Sequence, residues 1–218
     1  MILGIYGAGG SGREIYDIVC MQNIWEKLVF IDDTVEEGTF KSIDRMPFER
    51  FNQLYGIQEA RIIIAQGEPE YKVNLFNKVK EKGYILANII HSLAYVSGSA
   101  ILGEGVVVQA NTYISCGTEI RDNVHIMQNS IIAHDCIIHE HCQISMGVIV
   151  GGCVEIGEKT YIGMNVSIRD RINLGDNSVV GMGANVLKSI PNDVVAFGNP
   201  AKVIMKKRNK KIFIGSIS

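Results

Sequence analysis

Proline is scarce in this sequence, with 4 in 218 residues, and tryptophan occurs once. So few prolines exclude a proline-rich linker or a disordered proline tail. Apolar runs are short: none approaches the ~18 residues of a membrane-spanning helix, so no membrane segment is expected. Neither sign of charge dominates. Twenty-one Lys and Arg against 23 Asp and Glu leave a formal charge of −2, which gives no electrostatic case for nucleic acid. The one basic cluster, "KKRNKK" at 206–211, reads as a solvated tail. The five cysteines, at 20, 116, 136, 142 and 153, form no CxxC pair and no zinc-finger spacing. The opening "MILGIYGAGG" lacks the basic n-region and cleavage site of a signal peptide. An odd set of thiols without such a signal fits reduced cysteines and a cytoplasmic location.

What is present is globular composition, 47% hydrophobic and 20% charged, with 23 glycines. It divides into two halves of different grammar. Residues 1–88 alternate strand and helix patterns. "ILGIY", "KLVFIDD", "ARIIIAQG" and "YILANII" read as four strands. "SGREIYDIVCMQN" and "EPEYKVNLFNKVKEKG" read as amphipathic helices, the second closed by Gly83 as C-cap. Such alternation implies a parallel sheet covered by helices, an α/β Rossmann-like domain.

Residues 89–218 follow a period of six. Every sixth position from Leu102 to Val186 is aliphatic without interruption, Ile114, Ile132, Ile138, Ile144 and Ile162 among them. The positions two before them are small or β-branched, as at Thr118, Ser130, Cys136 and Cys142. Neither a helix nor a plain strand yields that period, whereas a hexapeptide β-helix does, with one short strand and one turn per repeat. The all-β second half is therefore a parallel β-helix whose aliphatic row points inward. Cys136 and Cys142 fill core space as small hydrophobes and, being six apart, form no disulfide.

Within "IIAHDCII", His134 and Asp135 stand two and three residues after the inward Ile132. They belong to a turn corner and face outward. If three hexapeptides make one coil, residues 18 apart stack, so His134 lies between Cys116 and Gly152. Gly151–Gly152 is the double glycine of this half, and a glycine lets its backbone N–H approach a ligand closely. A histidine base beside an N–H donor is what acyl transfer to an amine requires. The base takes the nucleophile's proton, the donor stabilises the oxyanion, and Asp135 orients the imidazole. A second column, Gln128, Met146, Met164 and Met182, puts methionines outward. They either line a channel for a thioester's pantetheine arm or pack an interface between subunits.

In the first half, "GAGGSG" gives Gly7-x-Gly9-x-x-Gly12 between a strand and a helix, the context in which this motif cradles phosphate. Asp32 and Asp33 end the next strand, placed for a ribose or a base. Gly67, after the "IIIAQG" strand, faces the same crevice. A domain of about 90 residues is one mononucleotide-binding half, so a nucleotide-diphosphate group fits better than a dinucleotide.

Together "GAGGSGREI", "VFIDD", "IIAHDC" and "VVAFGNPAKVI" resemble the bacterial sugar acetyltransferases that join a small Rossmann-like domain to a left-handed parallel β-helix. UDP-4-amino-sugar and GDP-perosamine N-acetyltransferases and sialic acid O-acetyltransferases belong to that family. The resemblance covers nearly the whole chain. It implies three hexapeptides per left-handed coil and side-by-side homotrimers. It further implies acetyl-CoA as co-substrate, no metal, and a role in surface polysaccharide such as lipopolysaccharide O-antigen. His134 matches the family's general base, Asp135 its acidic neighbour and Gly152 its oxyanion donor. Gly9, Gly10, Ser11, Asp32, Asp33 and Gly67 match nucleotide-sugar contacts. Met164 and Met182 match acetyl-CoA contacts, and Gln143 stands where the family often has a second histidine near the thioester. The implied reaction is N-acetylation of a nucleotide-linked 4-amino-4,6-dideoxy sugar by direct attack in a ternary complex. O-acetylation of a sialic acid is the alternative. His139 and His141 stand where a glycine-acid turn is common and read as exposed turn histidines. A zinc hydrolase on the same scaffold would use His134 and His139, but its third histidine would fall at Gly98. A cysteine nucleophile is disfavoured, Cys136 being inward and Cys153 lacking a clear base.

Overall fold

A computed structural model describes residues 1–207 and 212. The chain divides into two compact units, residues 1–67 with 71–89, and residues 68–70 with 90–218. The "KKRNKK" cluster lies outside the described residues except for Lys206 and Lys207. Among the described residues, no helix is long and apolar enough to cross a membrane.

In the first unit, β1 (Ile2–Tyr6), β2 (Lys27–Ile31), β3 (Gly38–Phe40), β4 (Ile43–Met46) and β5 (Ala60–Ile64) form one sheet in the order β3-β4-β2-β1-β5. β1, β2, β4 and β5 run parallel, and β3 pairs antiparallel with β4. Three helices join them: α1 (Gly10–Gln22), α2 (Phe48–Leu54) and α3 (Pro69–Glu81). The chain leaves β1 towards β2 and later returns to the other side of β1 as β5. That reversal opens a crevice beyond the carboxyl end of β1, where α/β sheets bind ligands. Tyr6, Val29, Ile31, Phe48, Phe51 and Ile62 pack the core, all buried. Gly4 is required by it: a Cβ there would stand 2.6 Å from Ile31 Cδ1 and 2.9 Å from Phe51 Cζ.

One expectation is corrected here. "YILANII" is not a fourth strand of this sheet. Leu86 makes a single bridge to Ile62, and Ile89–Ile90 pairs instead in the β-helix. The β3–β4 hairpin and the seven-residue α2 carry no clear sequence signal. Their strands span three and four residues, too few to display an alternation.

The second unit is a left-handed parallel β-helix of two-residue strands, with three sheets as its faces. One sheet stacks the strands beginning at 95, 113, 131, 149, 167 and 185. The second carries those at 101, 119, 137, 155 and 173. The third runs from Ile89–Ile90 through Gln143–Ile144 and ends in the antiparallel pair Val194–Gly198 and Ala201–Lys206. Register is fixed at 18 residues: Ile114 pairs with Ile132, and Ile132 with Val150. Of the aliphatic row only Leu102, in an end coil, is partly exposed; Val108 to Val186 are buried.

The small inward positions also hydrogen-bond upward. Thr118 Oγ1 donates to Ala133 O at 2.9 Å, Ser130 Oγ to Ser145 O at 3.0 Å, and Thr160 Oγ1 to Gly175 O at 2.8 Å. Cys136 and Cys142 do the same with their thiols, to Gly151 O at 3.2 Å and Gly157 O at 3.0 Å. They are thus more than small hydrophobes: each satisfies a corner carbonyl of the next coil. Burial pushes the Cys136 thiol up from its ordinary value, so it stays protonated and inert.

Turn geometry repeats as strictly as the core. One residue per corner lies in the left-handed region, from Gly105 and Asn111 through Asp135 (φ 57°), His141 (φ 64°) and Cys153 (φ 58°) to Gly183. Glycine and asparagine tolerate that conformation best, and they fill most of these positions. Asp135, His141 and Cys153 hold it at a cost.

Candidate active site

His134 occupies the corner between the first and second sheets, directly before the left-handed Asp135. The bend brings the two side chains together. His134 Nδ1 and Asp135 Oδ2 are 2.8 Å apart, both side chains more than half exposed, at 56% and 63%. With Nδ1 engaged by the carboxylate, Nε2 is left to handle protons. One coil up, the imidazole lies over Gly152: a Cβ there would stand 2.7 Å from Nε2, 2.8 Å from Cε1 and 3.2 Å from Cδ2. Any other residue would evict the ring. Gly151 is demanded separately, since its Cβ would stand 2.5 Å from Asp170 N. The backbone locks this stack through Cys153 N–H to His134 O at 2.9 Å and Arg171 N–H to Gly152 O at 2.9 Å. Among the described residues, the Gly152 N–H donates to no backbone acceptor. It is an open donor beside a base.

The structure adds a neighbour that the sequence reading set aside. Donor atoms of His134, Asp135 and Cys153 all lie within 4.8 Å of one another. Cys153 therefore does stand beside a base, contrary to expectation. It stacks 18 residues above Asp135, and hexapeptide arithmetic alone does not say which way a left-handed corner points its side chain. The pairing of His134 with His139 is not formed. His139 Nε2 is 2.8 Å from Glu155 Oε1 instead. His141 is not an exposed turn residue either: it is buried, and Asn123 Nδ2 donates to its Nδ1 at 3.0 Å.

The residues matched to acetyl-CoA fall elsewhere on the prism. Met164 and Met182 are exposed at the corner between the third and first sheets. Gln143 lies on the third sheet, the face opposite the His134 corner, and is buried with Oε1 lacking a hydrogen-bond partner. Within one chain these residues and His134 are not brought together.

The first unit supplies a cleft of about 410 Å³ at the carboxyl ends of β1, β2 and β5. Its walls include Gly7, Gly9, Asp32, Asp33, Gln66 and Tyr71. The glycines divide by cause. Gly7 has φ 120° and its Cβ would stand 2.7 Å from Ala65 O, and a Cβ on Gly12 would stand 1.9 Å from Gly7 O. Those two make the turn and seat α1. Gly9 and Gly10 meet nothing within 4 Å, so their missing side chains leave open space instead. Gly9 is the N-cap of α1 and offers no side-chain cap, and no acid stands in the first turn. The first N–H groups of this helix, including that of Ser11, are set for an anion such as a diphosphate.

The two aspartates separate in role. Asp33 is fully engaged: Tyr6 Oη donates to Oδ2, Lys78 Nζ lies 2.7 Å from Oδ2, and Phe48 N–H donates to Oδ1 at 2.8 Å. Burial alone would raise its pKa, but Lys78, Tyr6 and Phe48 N–H outweigh that and hold it below the usual value. Burial, reinforced by Asp33, raises the Tyr6 hydroxyl, which stays a donor. Asp32 Oδ1 accepts from Thr34 N–H at 3.0 Å and Thr34 Oγ1 at 2.6 Å, and among the described residues no donor reaches its second oxygen. Both line the cleft, but Asp32 keeps a carboxylate oxygen available there, whereas Asp33 is tied into the wall. Gly67 does not line the cleft, which its neighbour Gln66 does, and Gly67 N–H is held by Gln66 Oε1 at 3.1 Å.

Family comparisons agree with both halves. Residues 3–79 match the PglD N-terminal domain, residues 117–152 the bacterial transferase hexapeptide (six repeats), and residues 93–116 and 153–188 the hexapeptide repeat of succinyl-transferase. The chain thus joins a PglD-type N-terminal domain to hexapeptide-repeat segments of the acyltransferase type. Among solved structures, it is similar to the acetyltransferase domain of PglB from Neisseria gonorrhoeae in complex with acetyl coenzyme A. The identity is 28%, over 93% of this chain and 98% of that one, with a TM-score of 0.88. PerB from Caulobacter crescentus, in complex with CoA and GDP-perosamine, matches at 26% identity over 94% and 98%, TM-score 0.87. WeeI from Acinetobacter baumannii matches at 26% over 94% and 100%, TM-score 0.88.

Proposed function

We propose that this acyltransferase moves the acetyl group of acetyl-CoA to the amine of a nucleotide-linked 4-amino-4,6-dideoxy sugar. The observation that carries the reading is the corner stack: His134, oriented by Asp135, packed over Gly152 with its open N–H. The open N-terminus of α1 beside Asp32 supports a nucleotide diphosphate as the handle of the acceptor. The similar PglB and PerB structures hold acetyl coenzyme A, and CoA with GDP-perosamine.

In this mechanism the amine lone pair attacks the thioester carbonyl carbon while His134 Nε2 takes an amine proton. The C–N bond forms, and the negative charge on the carbonyl oxygen is held by Gly152 N–H. The C–S bond then breaks, and the proton on His134 passes to the departing CoA thiolate. Asp135 keeps the imidazole in its working tautomer. Binding of the nucleotide supplies energy that holds the amine in place. Met164 and Met182 pack the pantetheine arm, with Gln143 as a further cofactor contact. Their distance from His134 within one chain favours an acetyl-CoA site shared between chains of a homotrimer. An outward apolar column on the first sheet, Tyr95, Tyr113, Ile131 and Ile149, offers the surface for that assembly. The product enters a cytoplasmic pathway of surface glycan synthesis in this reading.

Thiol release from acetyl-CoA with a panel of UDP-, dTDP- and GDP-linked 4-amino sugars tests the proposal. Turnover with one of them supports it. Turnover only with a free sialic acid would replace it by O-acetyl transfer.

A further inference from the structure

Cys153 has no part in the mechanism above, yet its thiol lies within 4.8 Å of the donor atoms of both His134 and Asp135. Imidazole nitrogen, carboxylate oxygen and thiolate sulfur are together a zinc donor set, with a fourth position left to solvent or substrate. Donors on one tetrahedral zinc stand about 3.3–3.8 Å apart, so side-chain rotations of about 1 Å close the set. The backbone is already arranged for it. Asp135 and Cys153 occupy equivalent left-handed corners one coil apart, and Cys153 N–H is tied to His134 O at 2.9 Å. All three side chains are exposed, so a cation in solution reaches them. Cys116, one coil below His134, is outside the group, and His139 is taken by Glu155.

We propose that His134, Asp135 and Cys153 form a binding site for a thiophilic divalent cation, Zn²⁺ foremost, which switches the transferase off. The bound ion takes an imidazole nitrogen and the carboxylate that orients the ring. The thiol loses its proton to solvent as the S–Zn bond forms, and no electron changes hands. Oxygen-seeking Mg²⁺ and Ca²⁺ do not compete for such a set. The inhibitory consequence rests on His134 being the base, whereas the binding itself does not.

The test uses the full chain, reduced and freed of metal. Co²⁺ serves as the spectroscopic stand-in for Zn²⁺. One equivalent per chain should give a thiolate-to-cobalt charge-transfer band in the near ultraviolet, displaced by Zn²⁺. Cys153→Ser should abolish that band and weaken Zn²⁺ binding by about tenfold or more, while Cys116→Ser and Cys20→Ser leave both intact. Zn²⁺ should also slow alkylation of Cys153 by iodoacetamide, read at the peptide level. No band, or a band that survives Cys153→Ser, would overturn the site. Zn²⁺ inhibition of equal strength in native enzyme and Cys153→Ser would overturn the switch. If His134→Ala kept its transferase activity, the catalytic reading would fall while the cobalt band still judged the metal site.

Discussion

His134 and Gly152 show how a single residue is fixed by one 18 positions away. The sequence contains the relation as arithmetic once three hexapeptides make a coil, as the family resemblance implies, since that puts Gly152 above His134. What arithmetic leaves out is side-chain direction, so Cys153 beside the same imidazole became visible only in three dimensions. Gly152→Ala follows from the stack. The new methyl would meet Nε2 and Cε1 at 2.7 and 2.8 Å and push the ring aside. Steady-state kinetics should show kcat lowered by about tenfold or more, because general base catalysis depends on placement. The KM for the nucleotide sugar should be unchanged, and an unchanged kcat would remove Gly152 from the site. Asp33 yields a prediction in pH. Its pKa is held below the ordinary carboxylate value in the folded chain, by Lys78, Tyr6 and the Phe48 N–H. A depressed carboxylate contributes stability that is present above its unfolded pKa of about 3.9 and is lost as pH falls through the folded value. The acid limb of unfolding of the first unit should therefore be flatter in Asp33→Asn than in the native protein below about pH 4. Trp25, the one tryptophan, reports it by fluorescence. Parallel acid limbs would contradict the assignment.

At the scale of elements, the turn from β1 into α1 separates structural from functional glycine. "GAGGSG" was legible as a phosphate motif because strand, motif and helix follow in order, but the motif does not say which glycine does which job. The Cβ geometry does. Gly12→Ala would drive a methyl into Gly7 O and should cost folding, seen as loss of soluble, cooperatively unfolding protein. A Cβ on Gly9 meets nothing within 4 Å, so Gly9→Asp should fold normally. It places a carboxylate where the proposed site takes the phosphate, so KM for the nucleotide sugar should rise by about tenfold or more with kcat little changed. An unaltered KM would empty this helix end of its role. Longer elements with a clear period were read correctly; the β3–β4 hairpin and α2 were not. A three-residue strand at a sheet edge has no room for a pattern, and its existence is decided by its neighbours. "YILANII" failed for the opposite reason: an apolar run says that a segment is buried without saying in which sheet.

For the whole molecule, the proposed reaction assigns one part to each of two units with separate cores, the nucleotide to the cleft of the first and the acyl transfer to the His134 corner of the second. The β-helix was legible because its period repeats through every coil. Within one chain Met164 and Met182 stand at a different corner from His134, so the proposed acetyl-CoA site needs a second copy. If copies of the chain complete the site, the exposed column Tyr95, Tyr113, Ile131 and Ile149 is the natural seam. Ile131→Asp with Ile149→Asp should then leave a folded monomer by sedimentation, with acetyl transfer lost together with assembly. A double variant that stays oligomeric, or an active monomer, would place the seam or the site elsewhere. The most direct test of the account remains the corner itself: CoA release from acetyl-CoA with nucleotide-linked 4-amino sugars, native protein against His134→Ala. The account predicts turnover with one such sugar and a loss of roughly 10² or more in the variant. Equal turnover in the two proteins would contradict it and leave His134 a corner of the scaffold.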